Sequence, residues 1–155
     1  MELVRINMQP QTEAEFYKHM FAVHYVSRHV GIPDFLLAPK EILQIEDGDE
    51  HLGSVLLNNY LPLKPGKSKI EATFAADSSK AWTRKIIREL FDFVFNFMQC
   101  VRVEANCAED NLKVSDYLDR AGFILEGRLQ KGWDGKKDRL VYGMTKDNCN
   151  WLEAK

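Results

Sequence analysis

Cysteine is scarce in this chain of 155 residues: Cys100, Cys107 and Cys149 are an odd number with no paired spacing. A disulfide framework is therefore not indicated, and the thiols read as packed or idle in a reduced compartment. None shows the matched histidine and activating surroundings that a nucleophilic thiolate needs. A surplus of positive charge is also missing. With a formal net charge of -2 and a pI of about 6.1, the chain offers no general attraction for a nucleic-acid backbone. No apolar run is long enough to cross a bilayer, so no membrane partner is expected. The opening MELVRINMQPQ shows no signal-peptide pattern, and a cytoplasmic location is expected. Metal-ligand spacings are absent too. His19, His24 and His29 recur every five residues, which turns them around a helix instead of along one face, and no metal is expected. There is no internal repeat, low-complexity tract or linker. What is present is ordinary: 45% hydrophobic and 28% charged residues, at a length that suits a single domain spanning 1–155.

The periodicity changes along the chain. Val4 to Met8 alternates as a short edge strand does. Thr12 and Glu15 form a capping box that opens a helix with Phe16, Met20, Val23 and Val30 on its apolar stripe, widened by Ala22 and Val26. Gly31 closes that helix and Pro33 prevents its return. Three consecutive strands follow, at 41–46, 51–61 and 69–75, with a turn at Asp47-Gly48-Asp49-Glu50 and a loop at Lys64-Pro65-Gly66-Lys67. Capping side chains at 77–79 precede a long helix over 81–98, with Ile86, Leu90, Val94 and Phe97 on its stripe. A strand at 101–107, a short helix at 112–120 ended by Gly122, and strands at 123–129 and 139–145 complete the order. The expected class is α/β, a largely antiparallel mixed sheet covered by helices.

The most informative segment is Val101 to Thr145. Arg102-Val103-Glu104-Ala105, Asn111, Gly122-Phe123, Glu126-Gly127, Asp138 and Tyr142-Gly143 fall there in order. This run resembles the C-terminal half of GNAT-type N-acetyltransferases, especially the branch that modifies ribosomal-protein amino termini. The degenerate loop described below also resembles a divergent group frequent in phage genomes. The turn Gly135 to Asp138 is one residue shorter than the family pattern. The resemblance implies the acyl-CoA N-acyltransferase fold, a sheet opening into a V with acetyl-CoA in the gap, and direct transfer to an amine in a ternary complex.

What the resemblance implies for single residues is uneven. Its phosphate loop aligns with Ser78 to Thr83 and meets none of the three consensus positions. The physics is still available: amides at a helix start favour a diphosphate, Ala81 is small, and Lys80, Arg84 and Lys85 are cationic. The expected acetyl-CoA contacts are Ser79, Lys80, Ala81, Trp82, Thr83 and Arg84, with a backbone amide near Thr73 or Phe74 on the thioester oxygen and the Asn111 side chain. Each has a plainer reading, an ordinary capped helix for the loop and a loop-shaping side chain for Asn111. Glu71 and Glu104 lie on the two strands flanking the expected opening, and either can serve as base or be a solvated strand residue. The family's helix tyrosine aligns with Leu118, which leaves its neighbour Tyr117 as the candidate acid. The acceptor is expected to be a primary amine on a small molecule or a protein. The rival reading keeps the fold and binds an acyl-CoA or a protein partner without turnover. The C-terminal hairpin offers an edge able to pair with a second copy.

Overall fold

A computed structural model describes residues 1–152, without the side chain of Phe35. Its elements are β1 (Glu2–Arg5), α1 (Glu13–Val30), β2 (Pro39–Asp47), β3 (Glu50–Lys64), β4 (Lys67–Ala76), α2 (Arg84–Asp92), β5 (Cys100–Ala108), α3 (Leu112–Ala121), β6 (Ile124–Leu129) and β7 (Arg139–Thr145). The strands form one seven-stranded sheet in the order β1-β2-β3-β4-β5-β7-β6. The final strand is thus inserted beside β5, and β6 is left at the edge. Two compact units make up the chain, Met1–Leu61 with Glu71–Leu90, and Pro62–Ile70 with Phe91–Lys155, and β4 contributes to both.

In the first unit, α1 begins as its sequence dictates. Thr12 Oγ1 accepts from the Glu15 amide at 3.1 Å, while the Glu15 carboxylate accepts from the Gln11 amide at 2.7 Å. Gly31 ends the helix at φ 72°, where a side chain would be strained. Ala22, Val23 and Val26 bury against Ile6, Ile42, Leu56 and Ala75. The expected stripe holds only in its second half: Phe16 and Met20 are 50% and 42% exposed, and Tyr17 and Phe21 beside them are also exposed. On the opposite side of the sheet, Ile45, Ala81 and Ile86 form a second cluster with Leu3, Leu52 and Trp82. β1 starts earlier than the alternation suggests, at Glu2, and pairs with β2. β3 runs through Pro62 to Lys64; proline costs a strand only its own N–H, and this stretch is exposed.

The helix expected over 81–98 is three pieces. A 3-10 turn covers Ser79–Ala81, α2 starts at Arg84, and Phe93–Phe97 form a π turn closed by Met98 N to Phe93 O at 2.8 Å. The extra residue in that turn shifts the phase of the stripe. Phe91 and Phe95 are buried, whereas Phe97 is 60% exposed and stacks on Phe93. In the second unit Phe91 meets Phe95 and Phe123, and the free thiols Cys100, Cys107 and Cys149 are buried. α3 ends at Gly122, φ 93°, followed by β6 and β7.

Candidate active site

The candidate residues of the first unit follow one another along β4 and into α2. Glu71 and Thr73 share a face of β4, two residues apart. The Glu71 carboxylate accepts from Asn59 Nδ2 at 2.9 Å, and Thr73 Oγ1 lies 3.3 Å from the Asn58 side-chain amide. Asn59 itself sits at φ 53°, a kink in β3 that brings its amide to Glu71. Phe74 receives the Trp82 indole edge-on, with ring centres 5.6 Å apart. Trp82 is thereby held onto the apolar cluster of Ile45, Ala81 and Ile86.

Between β4 and α2 the backbone is largely self-satisfied. Ser78 Oγ accepts from the Lys80 amide at 3.2 Å, and the Ser78, Ser79 and Ala81 carbonyls accept from the Ala81, Trp82 and Thr83 amides. The helix cap is therefore not at 77–79: Ser78 caps the 3-10 turn, and Thr83 caps α2, taking the Ile86 amide on Oγ1 at 3.3 Å and the Ile87 amide on its carbonyl. Arg84 and Lys85 open α2, with their amides in the two positions preceding those caps. Lys80 and Arg84 are exposed, and Lys85 reaches the Met1 carbonyl and Glu89.

Sequence reasoning missed the residues that tether this loop. His29 Nε2 lies 2.9 Å from Asp77, the residue just before the capping serine. Tyr25 packs against the tilted ring of His29 and meets His51 edge-on. Its phenol is pushed up to about 12, first by burial and then by the charge of Asp77. Five-residue spacing of the histidines hid this, because only His29 of the three faces the loop.

The second unit holds Glu104, Asn111 and Tyr117. Glu104 Oε1 accepts from Lys69 Nζ and Arg102 Nε, each at 2.9 Å. Partial burial raises this carboxyl, but the Lys69 and Arg102 hydrogen bonds together outweigh it and hold the group below the ordinary glutamate value. A carboxylate held this way is a weak proton acceptor. Arg102 also grips Glu126, and the pair lies over Gly143, where a Cβ would collide with both side chains. That is why Tyr142 is followed by glycine. Asn111 Oδ1 accepts from the Val114 amide at 3.2 Å as the cap of α3, which leaves its Nδ2 available. Leu118 is buried and Tyr117 half-buried. Asp138 locks the β6–β7 hairpin: its carboxylate takes the Lys131 amide and Arg128, and these keep it well below the usual range.

Solved structures share this architecture. A chimera of the spermidine N-acetyltransferase SpeG from Vibrio cholerae with hSSAT superposes with a TM-score of 0.69 over 95% of this chain and 97% of that one, at 14% identity. This is the GNAT acetyltransferase fold. The fold is shared with a probable acetyltransferase at a TM-score of 0.59 and 23% identity, covering 79% of this chain and 73% of that one. A GNAT-family acetyltransferase from Bacillus anthracis has it too, with a TM-score of 0.54 and 17% identity over 68% of this chain and 66% of that one. No family model and no curated protein matches the sequence. At these identities the likeness is one of fold, and the chemistry rests on the residues.

Proposed function

We propose that the chain transfers an acetyl group from acetyl-CoA to a primary amine, directly and without a covalent enzyme intermediate. The observation that carries this reading is the placement of Glu71 on β4, directly before the loop into α2, on the fold of the solved acetyltransferases. Glu71 takes the proton from the acceptor ammonium. The freed nitrogen attacks the acetyl carbonyl carbon, the carbon–sulfur bond breaks, and the departing thiolate is protonated. The amide near Thr73 or Phe74 polarises the thioester oxygen. Arg84, Lys80 and the first amides of α2 suit a diphosphate, with Ser79, Ala81, Trp82 and Thr83 shaping that turn. Asn111 has its Nδ2 to offer a ligand. Tyr117 is assigned to protonating the thiolate. Glu104, saturated by two cations, takes a positioning role, fixing Lys69 and Arg102.

The solved neighbours named as spermidine N-acetyltransferases make a small polyamine the first acceptor to assay, ahead of a lysine or a protein N-terminus. The ordered motifs from Arg102 to Gly143 are the support for a place near the ribosomal-protein branch or the divergent phage group. The three free, buried thiols support a cytoplasmic setting.

A second reading, acyl-CoA or partner binding without turnover, is favoured by one observation. The amides of Lys80, Ala81, Trp82 and Thr83 already have acceptors within the chain. Calorimetric titration with acetyl-CoA, followed by free-thiol release on adding spermidine or other amines, separates the two. Binding with thiol release supports transfer; binding alone supports the second reading; no binding excludes transfer and acyl-CoA binding alike and leaves only a protein partner.

A further inference from the structure

Asparagine stands in β3 at a backbone position that glycine would occupy with less strain. Asn59 has φ 53°, in the left-handed region, and lies inside the strand. Gln99 and Lys131, the other non-glycine residues with positive φ among the described residues, lie between elements. The conformation costs energy for any residue with a side chain, although asparagine tolerates it better than most. It does not serve to reverse the chain, because β3 continues to Lys64.

What the kink achieves is seen on β4. Asn59 Nδ2 donates to Glu71 Oε2 at 2.9 Å. The neighbouring Asn58 side chain sits between two carbonyl oxygens, that of Glu71 at 3.1 Å and that of Leu56 at 3.2 Å. Both are acceptors, so the atom between them is Nδ2, which donates to them. Thr73 Oγ1 lies 3.3 Å from the same amide. Glu71 and Thr73 share a face of β4, so Asn58 and Asn59, consecutive in sequence, both reach that face. On a regular strand consecutive side chains point to opposite faces. The left-handed residue is therefore what turns the second amide toward the carboxylate, as bulges and kinks re-aim side chains elsewhere. Glu71 is held at both ends, its carbonyl by Asn58 and its carboxylate by Asn59.

Resting on the reading of Glu71 as the base, we propose that Asn59 is the positioning residue of that carboxylate, with Asn58 steadying the backbone beneath it. A half-buried glutamate has several rotatable bonds and many orientations to sample. One oxygen fixed by an amide sets the plane in which the carboxylate meets the acceptor nitrogen. A base works only within hydrogen-bond reach of the proton it takes, and a misplacement of about 1 Å costs roughly 10²-fold. Asn59 touches no reacting atom, and its amide neither gains nor loses a proton.

The test compares the full chain with Asn59→Gly and Asn59→Ala, using acetyl-CoA and spermidine, or another primary amine that the chain turns over. Asn59→Gly keeps the left-handed backbone and deletes the amide. Its kcat falls by roughly ten- to a hundredfold, while its KM for acetyl-CoA and its Tm stay close to those of the unaltered chain. Asn59→Ala loses the same rate and also melts lower, because alanine strains the kink. In a Glu71→Gln background, Asn59→Gly slows the remaining reaction no further, since the group it positions is gone. Full rate in Asn59→Gly beside a slow Glu71→Gln overturns the positioning role alone, as does a double variant whose losses simply add. Glu71→Gln at full rate, or no acetylated product from any amine, removes the base reading and this inference with it.

Discussion

Removing the Glu104 carboxylate separates a structural from a catalytic role for the motif glutamate. Glu104→Ala takes away the oxygen shared by Lys69 Nζ and Arg102 Nε at 2.9 Å each. Hydrogen bonds to charged groups contribute about 1.5–3 kcal/mol apiece when well desolvated. Here the side chains are 19% exposed for Glu104, 30% for Lys69 and 23% for Arg102, and Arg102 keeps Glu126. The expected net loss is about 2 kcal/mol, which for a chain of this size lowers Tm by roughly 4–8 °C. The sign of the pH dependence follows from the lowered carboxyl. Its folded value lies below its unfolded one, so the stabilisation is complete above the unfolded glutamate value of about 4.3 and is lost as pH falls through the folded value. Thermal melts of both proteins from neutral to acid pH should show a constant gap that closes only at acid pH. A gap that persists into acid, or lost turnover with an unchanged melt, refutes the reasoning and returns Glu104 to the chemistry.

Other outcomes follow from single contacts. Gly53→Ala places a Cβ 2.7 Å from the Ala75 carbonyl oxygen on β4, a backbone atom that cannot step aside. A loss of about 1–3 kcal/mol is expected in chemical denaturation, and an unchanged midpoint argues against this strand spacing. Arg84→Glu should weaken acetyl-CoA binding by roughly tenfold or more, measured by titration, with the melt unaffected because Arg84 is exposed. Equal affinity moves the diphosphate away from the start of α2. Tyr25→Phe should remove an alkaline instability. The phenol's folded value of about 12 exceeds its unfolded value of about 10, so its stabilising share is present below pH 10 and lost between the two.

Where local chemistry decides structure, the sequence was legible. Thr12, Gly31 and Gly122 mark helix ends through side-chain caps and left-handed backbone, and the strand expected at 139–145 has those bounds. The motif run located the second unit's side chains, Glu104 and Asn111 among them. What escaped depends on contacts distant in sequence. Glu104 meets a lysine 35 positions away, and Asp77 meets a histidine 48 positions away. The helix of 81–98 broke for two local reasons that compete with its period: Ser78 and Thr83 each cap a separate turn, and four phenylalanines alternating over 91–97 cannot all face inward on a 3.6-residue repeat. The exposed ring of Phe16 and its neighbours shows the same limit, since the stripe is wider than the surface available to cover it.

The direct test of acetyl transfer is product formation: mass-spectrometric detection of acetylated spermidine from acetyl-CoA, with the unaltered chain beside Glu71→Gln. The account predicts time-dependent product with the first and a rate lower by about 10²–10⁴-fold with the second, at unchanged acetyl-CoA affinity. Rates within a few-fold of each other contradict the assignment of Glu71 as the base, and no acetylated amine from any acceptor class contradicts the activity itself.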